Sequence, residues 1–455
     1  MADDPRDIAV WALGDRQGYV SMRLDRLLAR GSLSRQDQSL ARELALGACR
    51  RRATLEAVLR SFMQDPDRPL PGSLREVLLI GAYQLLFLDR VPAHAAVNEA
   101  VEQTIRHRHR RKSGMVNGVL RTIERKVSEA VHGQVPLESD VIPVGPGASR
   151  KADRAIFPDP RKNQAGYLAA AFSLPVFMAD RWIRSFGSLE AAVELASHAN
   201  VRAPTIMRVN RLKADVQAAL DSLAADGAKA VPHENGHSVV LAEQKGLTEL
   251  RAFNEGLVQP QDASATEVVL AADPQPGMRV LDFCAAPGTK TTHMAERMHD
   301  NGSITAVDVT PEKLQRIEDN CRRMGISIVQ TALADKVGSL DAHSFDLVLA
   351  DVPCSNTGVL ARRAEARWRF SADSLRKLTR DQQQLLAIAS QFVQPEGKLV
   401  YSTCSIEPEE CGDVVKWFIA RSGQFKPVQE KLTLPGGASD ASCWRDGGYC
   451  AVLAG

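Results

Sequence analysis

The chain has 455 residues, 44% of them hydrophobic and 25% charged, with a formal net charge of +2. That length exceeds one ordinary core and, at roughly 150 residues per domain, suggests three domains. The composition excludes wholesale disorder, and no apolar run approaches the ~20 residues of a membrane-spanning helix. The opening MADDPRDIAVWAL is acidic where a secretory signal is basic, so a cytoplasmic protein with no membrane partner is expected. Residues 1–150 hold 23 Lys and Arg against 18 Asp and Glu, and the remainder 34 against 37. The first third is therefore the part suited to an anionic partner.

Residues 1–135 read as helices alone. LREVLLIGAYQLLFL sets Leu74, Leu78, Ala82, Leu85 and Leu86 on one helical face. VPAHAAVNEAVEQTI restarts a helix after Pro92, and SGMVNGVLRTIERKV is another amphipathic helix. Between these two, RHRHRRK (Arg106–Lys112) places seven basic or imidazole side chains in a row. They are either a helix end whose cations suit the dipole or a phosphate contact. Pro, Gly and Ser without a period over 136–160 read as a linker. Residues 161–265 mix helices (LPVFMADRWIRSFG, ADVQAALDSLAADG) with short strands (TIMRVN, HSVVLA), which suggests a small α+β module. Over 266–455 the short apolar runs MRVLDF, ITAVD, VQTAL, FDLVLAD and GKLVYS alternate with helical segments such as TKTTHMAERM and PEKLQRIEDNCRRMG. That alternation predicts a mostly parallel, doubly wound α/β sheet.

After the first of these strands comes CAAPGTK: Cys284, Ala285, Ala286, Pro287, Gly288, Thr289 and Lys290, opening a helix. Small residues there let backbone approach a ligand at the carboxyl end of the sheet. Asp308 ends the second strand, where a carboxylate accepts from ribose hydroxyls. The loop is not G-x-G-x-x-G, and Thr289 before Lys290 with Phe283 in the first-glycine position excludes a phosphate-cradling loop. A nucleoside without phosphates fits, which points to S-adenosyl-L-methionine. Asp335, past the third strand, is either an acceptor for an adenine amino group or a helix N-cap. Asp351 ends the fourth strand, beside the cofactor.

Eight cysteines form no C-x-x-C pair and no Cys/His cluster with zinc spacing, so free thiols and no metal site are expected. Two of them stand out. DVPCSNTG puts Cys354 three residues past the fourth strand, and YSTCS puts Cys404 two past the fifth. In a sheet of this class those strands are neighbours about 4.8 Å apart, so both thiols land near the methyl donor. Carbon 5 of cytosine does not accept a methyl group unaided; a thiolate adding at carbon 6 makes it nucleophilic, and the thiolate must then be expelled. A free thiol is only a few per cent ionised near neutral pH, so a helix end or a cation must lower its pKa. Asp351, protonated or hydrogen-bonded to the base edge, would stabilise the adduct. Arg362, Arg363 and Arg367 follow the first cysteine and are candidates for backbone phosphate.

Taken together, DFCAAPGTKT, AVD at 306–308, DVPCSNTGV, ARRAEARWRF and YSTCSIEPEE resemble the RsmB/Nop/Sun family of RNA 5-methylcytosine methyltransferases. The resemblance extends through APTIMRVNRLK and GLVQPQDAS. ARELALGACRRR, LREVLLIGAYQLLFL, VPAHAAVNEAV and MVNGVLRTIER resemble the NusB-like RNA-binding domain. It implies an all-α NusB-like domain over 1–135, a linker, the α+β module and a Rossmann-like methyltransferase domain, acting on ribosomal RNA, with 16S RNA the expected substrate, as a monomer. Spacing leaves open which thiol attacks; the resemblance implies Cys404 as nucleophile and Cys354 as the group assisting release. It also implies the cofactor loop Cys284–Lys290, Asp308 on ribose, Asp335 on adenine and Asp351 as the aspartate of the D-x-P-C motif. The rivals it leaves are a transfer RNA substrate and a non-catalytic NusB-like assembly factor. GTK for the usual GGK, Cys411 for Asn, Val352 and Asn356 in DVPCSNTG, and the C-terminal DGGYCAVL without an aromatic pair depart from the family pattern.

Overall fold

The computed structural model describes residues 4–14, 18–243 and 246–455, and the chain gathers into two units: residues up to Val201 with Arg363–Phe370, and Arg202–Arg362 with Ser371–Gly455. In the first unit, helices Pro5–Gly14, Arg35–Arg50, Arg52–Phe62, Ala93–Arg106 and Ser113–Lys126 surround the helix Gly72–Phe87. That helix was expected to bury one face. It is buried all round, with Leu74, Val77, Leu78, Leu79, Ile80, Ala82 and Leu86 at 2% exposure or less, while Leu85 is half-buried. An all-round apolar helix has no solvent face to offer. Gly81 permits the closest approach, since a Cβ there would sit 2.8 Å from the Leu120 side chain.

The stretch expected to be a linker, 136–160, supplies two strands of a three-stranded antiparallel sheet in the order Val131–His132, Ala148–Lys151, Val141–Gly145. Its proline did not prevent this, because Pro143 sits on an edge strand, where a missing N–H costs little. Gly147, at φ 60°, turns the chain between the two longer strands. Helices Val20–Leu28, Gln164–Ala171, Val176–Phe186 and Leu189–Ala199 also belong to this unit. Within it, Arg367 is wholly buried and donates to the carbonyls of Arg50, Ser173, Ala199 and Ala364 and to Asn200 Oδ1. Burial, with Arg50 beside it, pulls its pKa down to about 9. Arg367 was a candidate for RNA phosphate; a guanidinium spent on five internal acceptors holds the fold instead.

The second unit opens with a four-stranded antiparallel sheet, Ala230–Pro232, Ser238–Leu241, Thr205–Val209 and Val258–Pro260 in that order. The segment expected as one α+β module, 161–265, is thus shared: its first three helices lie in the first unit and its sheet in the second. Arg208, on a central strand, makes a buried ion pair with Glu296 on the helix Thr289–Arg297 at 2.5 Å. The larger sheet has strands β1 (Arg279–Phe283), β2 (Ser303–Asp308), β3 (Val329–Leu333), β4 (Phe345–Asp351), β5 (Val393–Thr403), β6 (Lys426–Thr433) and β7 (Gly448–Ala454). Their order is β3-β2-β1-β4-β5-β7-β6, and only β7 runs against its neighbours. This is the doubly wound α/β sheet expected, and the order reverses at β1/β4, where such sheets bind ligands.

Candidate active site

The loop after β1 turns through Cys284 (φ 67°) and Gly288 (φ 91°), and Gly288 is the N-cap of the helix Thr289–Arg297. Glycine is required there twice over. The φ is left-handed, and a Cβ would lie 3.1 Å from Ile317. Asp308, buried at the end of β2, accepts from the Ala286 N–H (2.9 Å) through Oδ2, and from the Val309 N–H (2.7 Å) and Lys313 Nζ (2.8 Å) through Oδ1. Its carboxylate therefore also braces the loop. Asp335 is exposed on the turn Ala334–Ser339 and makes no capping bond, so the N-cap alternative is not what the fold uses. Small residues at 285, 286 and 288, with one buried carboxylate and no row of glycine amides, suit a nucleoside carrying no phosphate.

Beneath the loop, Asp282 is fully buried. Thr291 Oγ1 donates to its Oδ2 at 2.6 Å, and its Oδ1 has no partner. Burial, reinforced by the charges of Asp351 and Asp308, pushes its pKa up to about 7. A raised carboxyl pKa means that the folded state holds a proton the unfolded state has lost, so stability is lost as pH rises towards about 7. Asp282→Asn removes that slope. Relative to the variant, wild type is expected to lose on the order of a few kcal/mol between about pH 4 and 8, measured by denaturant unfolding at each pH. Equal pH slopes in both proteins would refute it.

The register of β4 on β5 pairs Asp351 with Ser402. Three residues on from one and two from the other, Cys354 Sγ and Cys404 Sγ stand 2.9 Å apart. Cys404 Sγ also lies 3.3 Å from Oδ1 of Asn356, a residue in the left-handed region whose Nδ2 donates to the Cys354 carbonyl (2.8 Å). Cys354's pKa is held well above the usual thiol range, first by its hydrogen bond with Cys404, then by burial and by the charges of Cys404 and Glu410. Asp351 accepts from Lys290 Nζ (2.6 Å) through Oδ2 and from Ser402 Oγ (2.6 Å) through Oδ1. Burial opposes charge on Lys290, but Asp351, Cys404 and Asp282 outweigh it and raise its pKa above the ordinary lysine value. Lys290, counted by sequence only as part of the loop, reaches the thiol rim because its helix starts there, and it puts a cation beside Asp351 and near Cys404.

A cleft of about 450 Å³ opens beside Cys404, walled by Lys290, Asp351, Ser402, Asp446 and Tyr449 among others, and not by Cys284, Asp308 or Asp335. Asp446 carried no signal in the sequence. Its carboxyl, pushed up to about 7 by burial and Asp262, is paired with Arg362. Arg362 bonds Asp446, Asp262 and the Pro204 carbonyl, so this second phosphate candidate is already spent on internal partners. Of the basic run, Arg106 and His107 bind Asp7 and His109 meets Ser73, whereas Arg108, Arg110 and Arg111 are exposed. Among the described residues no cluster of three or more His, Cys, Asp or Glu could hold a metal, and no helix is long and apolar enough to cross a membrane.

The sheet order, the small-residue loop after β1 and the carboxylate closing β2 define the Rossmann-like methyltransferase class. Residues 269–440 match the family described as 16S rRNA methyltransferase RsmB/F, residues 6–125 the NusB family, and residues 174–247 the ferredoxin-like domain of RsmF/B-like methyltransferases. The chain is 31% identical over 428 residues to the probable ribosomal RNA small subunit methyltransferase B of Bacillus subtilis, spanning 93% of this chain and 89% of that one. It is 32% identical over 404 residues to the ribosomal RNA small subunit methyltransferase B of Pasteurella multocida, spanning 86% and 81%. A methyltransferase homolog protein from Pyrococcus horikoshii superposes with a TM-score of 0.55 at 27% identity, over 65% of this chain and 99% of its own. The chain belongs to the RsmB/F methyltransferase family, and its cofactor is S-adenosyl-L-methionine.

Proposed function

We propose that the protein methylates carbon 5 of a cytosine in small-subunit ribosomal RNA through a covalent bond from Cys404 to carbon 6. The observation that carries this reading is the pair of sulfurs 2.9 Å apart beside the Lys290–Asp351 ion pair. Residues Cys284–Gly288, Asp308 and Asp335 would hold the cofactor, which supplies an electrophilic methyl group. The Cys404 thiolate adds to carbon 6, and the carbon 5–carbon 6 π electrons become available at carbon 5, where they would bond the donated methyl carbon as its bond to the donor's sulfur breaks. Lys290 lowers the cost of the negative charge, first on sulfur and then on the ring. Asp351, tied to Lys290 and Ser402, presents a fixed oxygen edge to the base. Carbon 5 gives its proton to solvent water, the carbon 6–sulfur bond breaks, and the neutral Cys354 thiol, 2.9 Å away, assists release by donating a hydrogen bond to the departing Cys404 thiolate. The base has to be unstacked for carbon 6 to be reached from its face.

The reading of the substrate rests on the named activity of the relatives and on the NusB-like helices, residues 1–135, which we assign to RNA anchoring. Incubation with methyl-labelled cofactor, ribosomal RNA from cells lacking the protein, and transfer RNA in parallel tests it. Label in 5-methylcytidine of small-subunit RNA supports the reading. Label in transfer RNA, in another nucleoside or in neither RNA overturns it.

The exposed arginines make a separate prediction. Arg110→Glu with Arg111→Glu is expected to raise the RNA KM roughly tenfold and to reduce the log–log salt slope by about 2, with kcat unchanged. An unaltered salt slope would return the run to the helix-end role.

A further inference from the structure

Behind the two thiols lies a carboxylate that the reaction as written does not use. Glu410 is fully buried, and among the described residues no cation pairs with it. Its Oε1 accepts from the Ser355 N–H and from Gln382 Nε2, both at 2.9 Å. Its Oε2 accepts from Ser405 Oγ at 2.6 Å and from Ser355 Oγ. Ser355 follows Cys354 and Ser405 follows Cys404, so one carboxylate grips both cysteine loops at equivalent positions. Thr357 Oγ1, 3.1 Å from Ser405 Oγ and accepting from the Ile406 N–H at 3.2 Å, is a second tie between the same loops. The Tyr401 hydroxyl holds the Glu410 carbonyl at 2.7 Å, and Gln382 also donates to the Pro353 carbonyl at 2.9 Å. Four donors saturate a carboxylate, and a buried charge so satisfied is rigid.

We propose that Glu410 is a positioning residue for the two thiols: it sets the separation of the Cys354 and Cys404 loops and keeps Cys354 neutral, leaving Cys404 as the nucleophile. The role rests on the covalent reading above. The loops leave adjacent strands and are also joined by the Gly358 N–H to the Cys404 carbonyl (3.0 Å), but Glu410 is the charged group that binds the residue after each cysteine. A negative charge behind Cys354 disfavours a second anion there, and its influence on Cys354 follows that of Cys404 and of burial.

The test uses full-length Glu410→Gln, which keeps the shape and removes the charge. Its kcat is expected to fall roughly 100-fold, as for a reacting group displaced by about 1 Å, with KM for cofactor and RNA unchanged. Iodoacetamide is expected to label Cys404 in wild type but both Cys404 and Cys354 in the variant, read by peptide mass spectrometry. A folded Glu410→Gln protein with wild-type kcat, or with labelling still confined to Cys404, overturns the role. Should that variant fail to fold, Ser355→Ala with Ser405→Ala decides the matter: it keeps the charge and removes both hydroxyl ties, so kcat is expected to fall while labelling stays on Cys404, and an unchanged kcat overturns the role. RNA containing 5-fluorocytidine separates the two layers of inference. If wild type traps no adduct, the covalent reading falls and this role with it; if wild type traps it and the variants behave as wild type, only the role of Glu410 falls.

Discussion

Cys404→Ala is expected to lose methyl transfer by roughly 10⁴-fold or more, the scale of removing a covalent nucleophile, and to form no RNA adduct on a denaturing gel. Cys354→Ala is expected to be nearly as inactive in turnover yet to accumulate the adduct, because addition at carbon 6 needs only Cys404 whereas release needs the Cys354 S–H to stabilise the departing thiolate. The asymmetry arises from surroundings that differ for two sulfurs 2.9 Å apart. Both are half-buried, but Cys354 is hydrogen-bonded by Cys404, desolvated and backed by Glu410, all of which favour its neutral form. Cys404 lines the open cleft with Lys290. Adduct from Cys404→Ala and none from Cys354→Ala would exchange the roles.

Lys290→Met is expected to lower kcat roughly 10²–10³-fold, the scale of removing one preorganised charge from a reacting centre. Part of that loss is the cost of leaving Asp351 beside a missing partner. The double variant Lys290→Met, Asp351→Asn should therefore lose less than the product of the two single losses, since the pair is in direct contact. Steady-state kinetics distinguish this from a cofactor-loop role. If the KM for S-adenosylmethionine rises and kcat holds, Lys290 serves the cofactor and the thiolate must find its cation elsewhere.

Much of the second unit was readable because its signals are local. Strand and helix periods over 278–402 specify the sheet, and turn residues mark the loop at 284–290. Once the sheet class is known, parallel neighbours carry residues at their carboxyl ends to the same rim. Cys354 and Cys404 meet for that reason, fifty residues apart in the chain. The 136–160 stretch misled because Pro and Gly signal irregular backbone on average, while here an edge position made Pro143 harmless and a turn made Gly147 necessary.

What the sequence determined by itself was the doubly wound architecture, the small-residue turn after its first strand, and the convergence of two thiols on one rim, all consequences of short-range periodicity and strand order. Only the tertiary structure decided how the charges are spent. Arg367 and Arg362 turned inward to carbonyls and carboxylates, Lys290 reached across to Asp351, and Glu410 gathered the serines beside both cysteines. The physical reason is that a charged side chain's partner is chosen by burial and by proximity in three dimensions, neither of which is written in the spacing of residues along the chain.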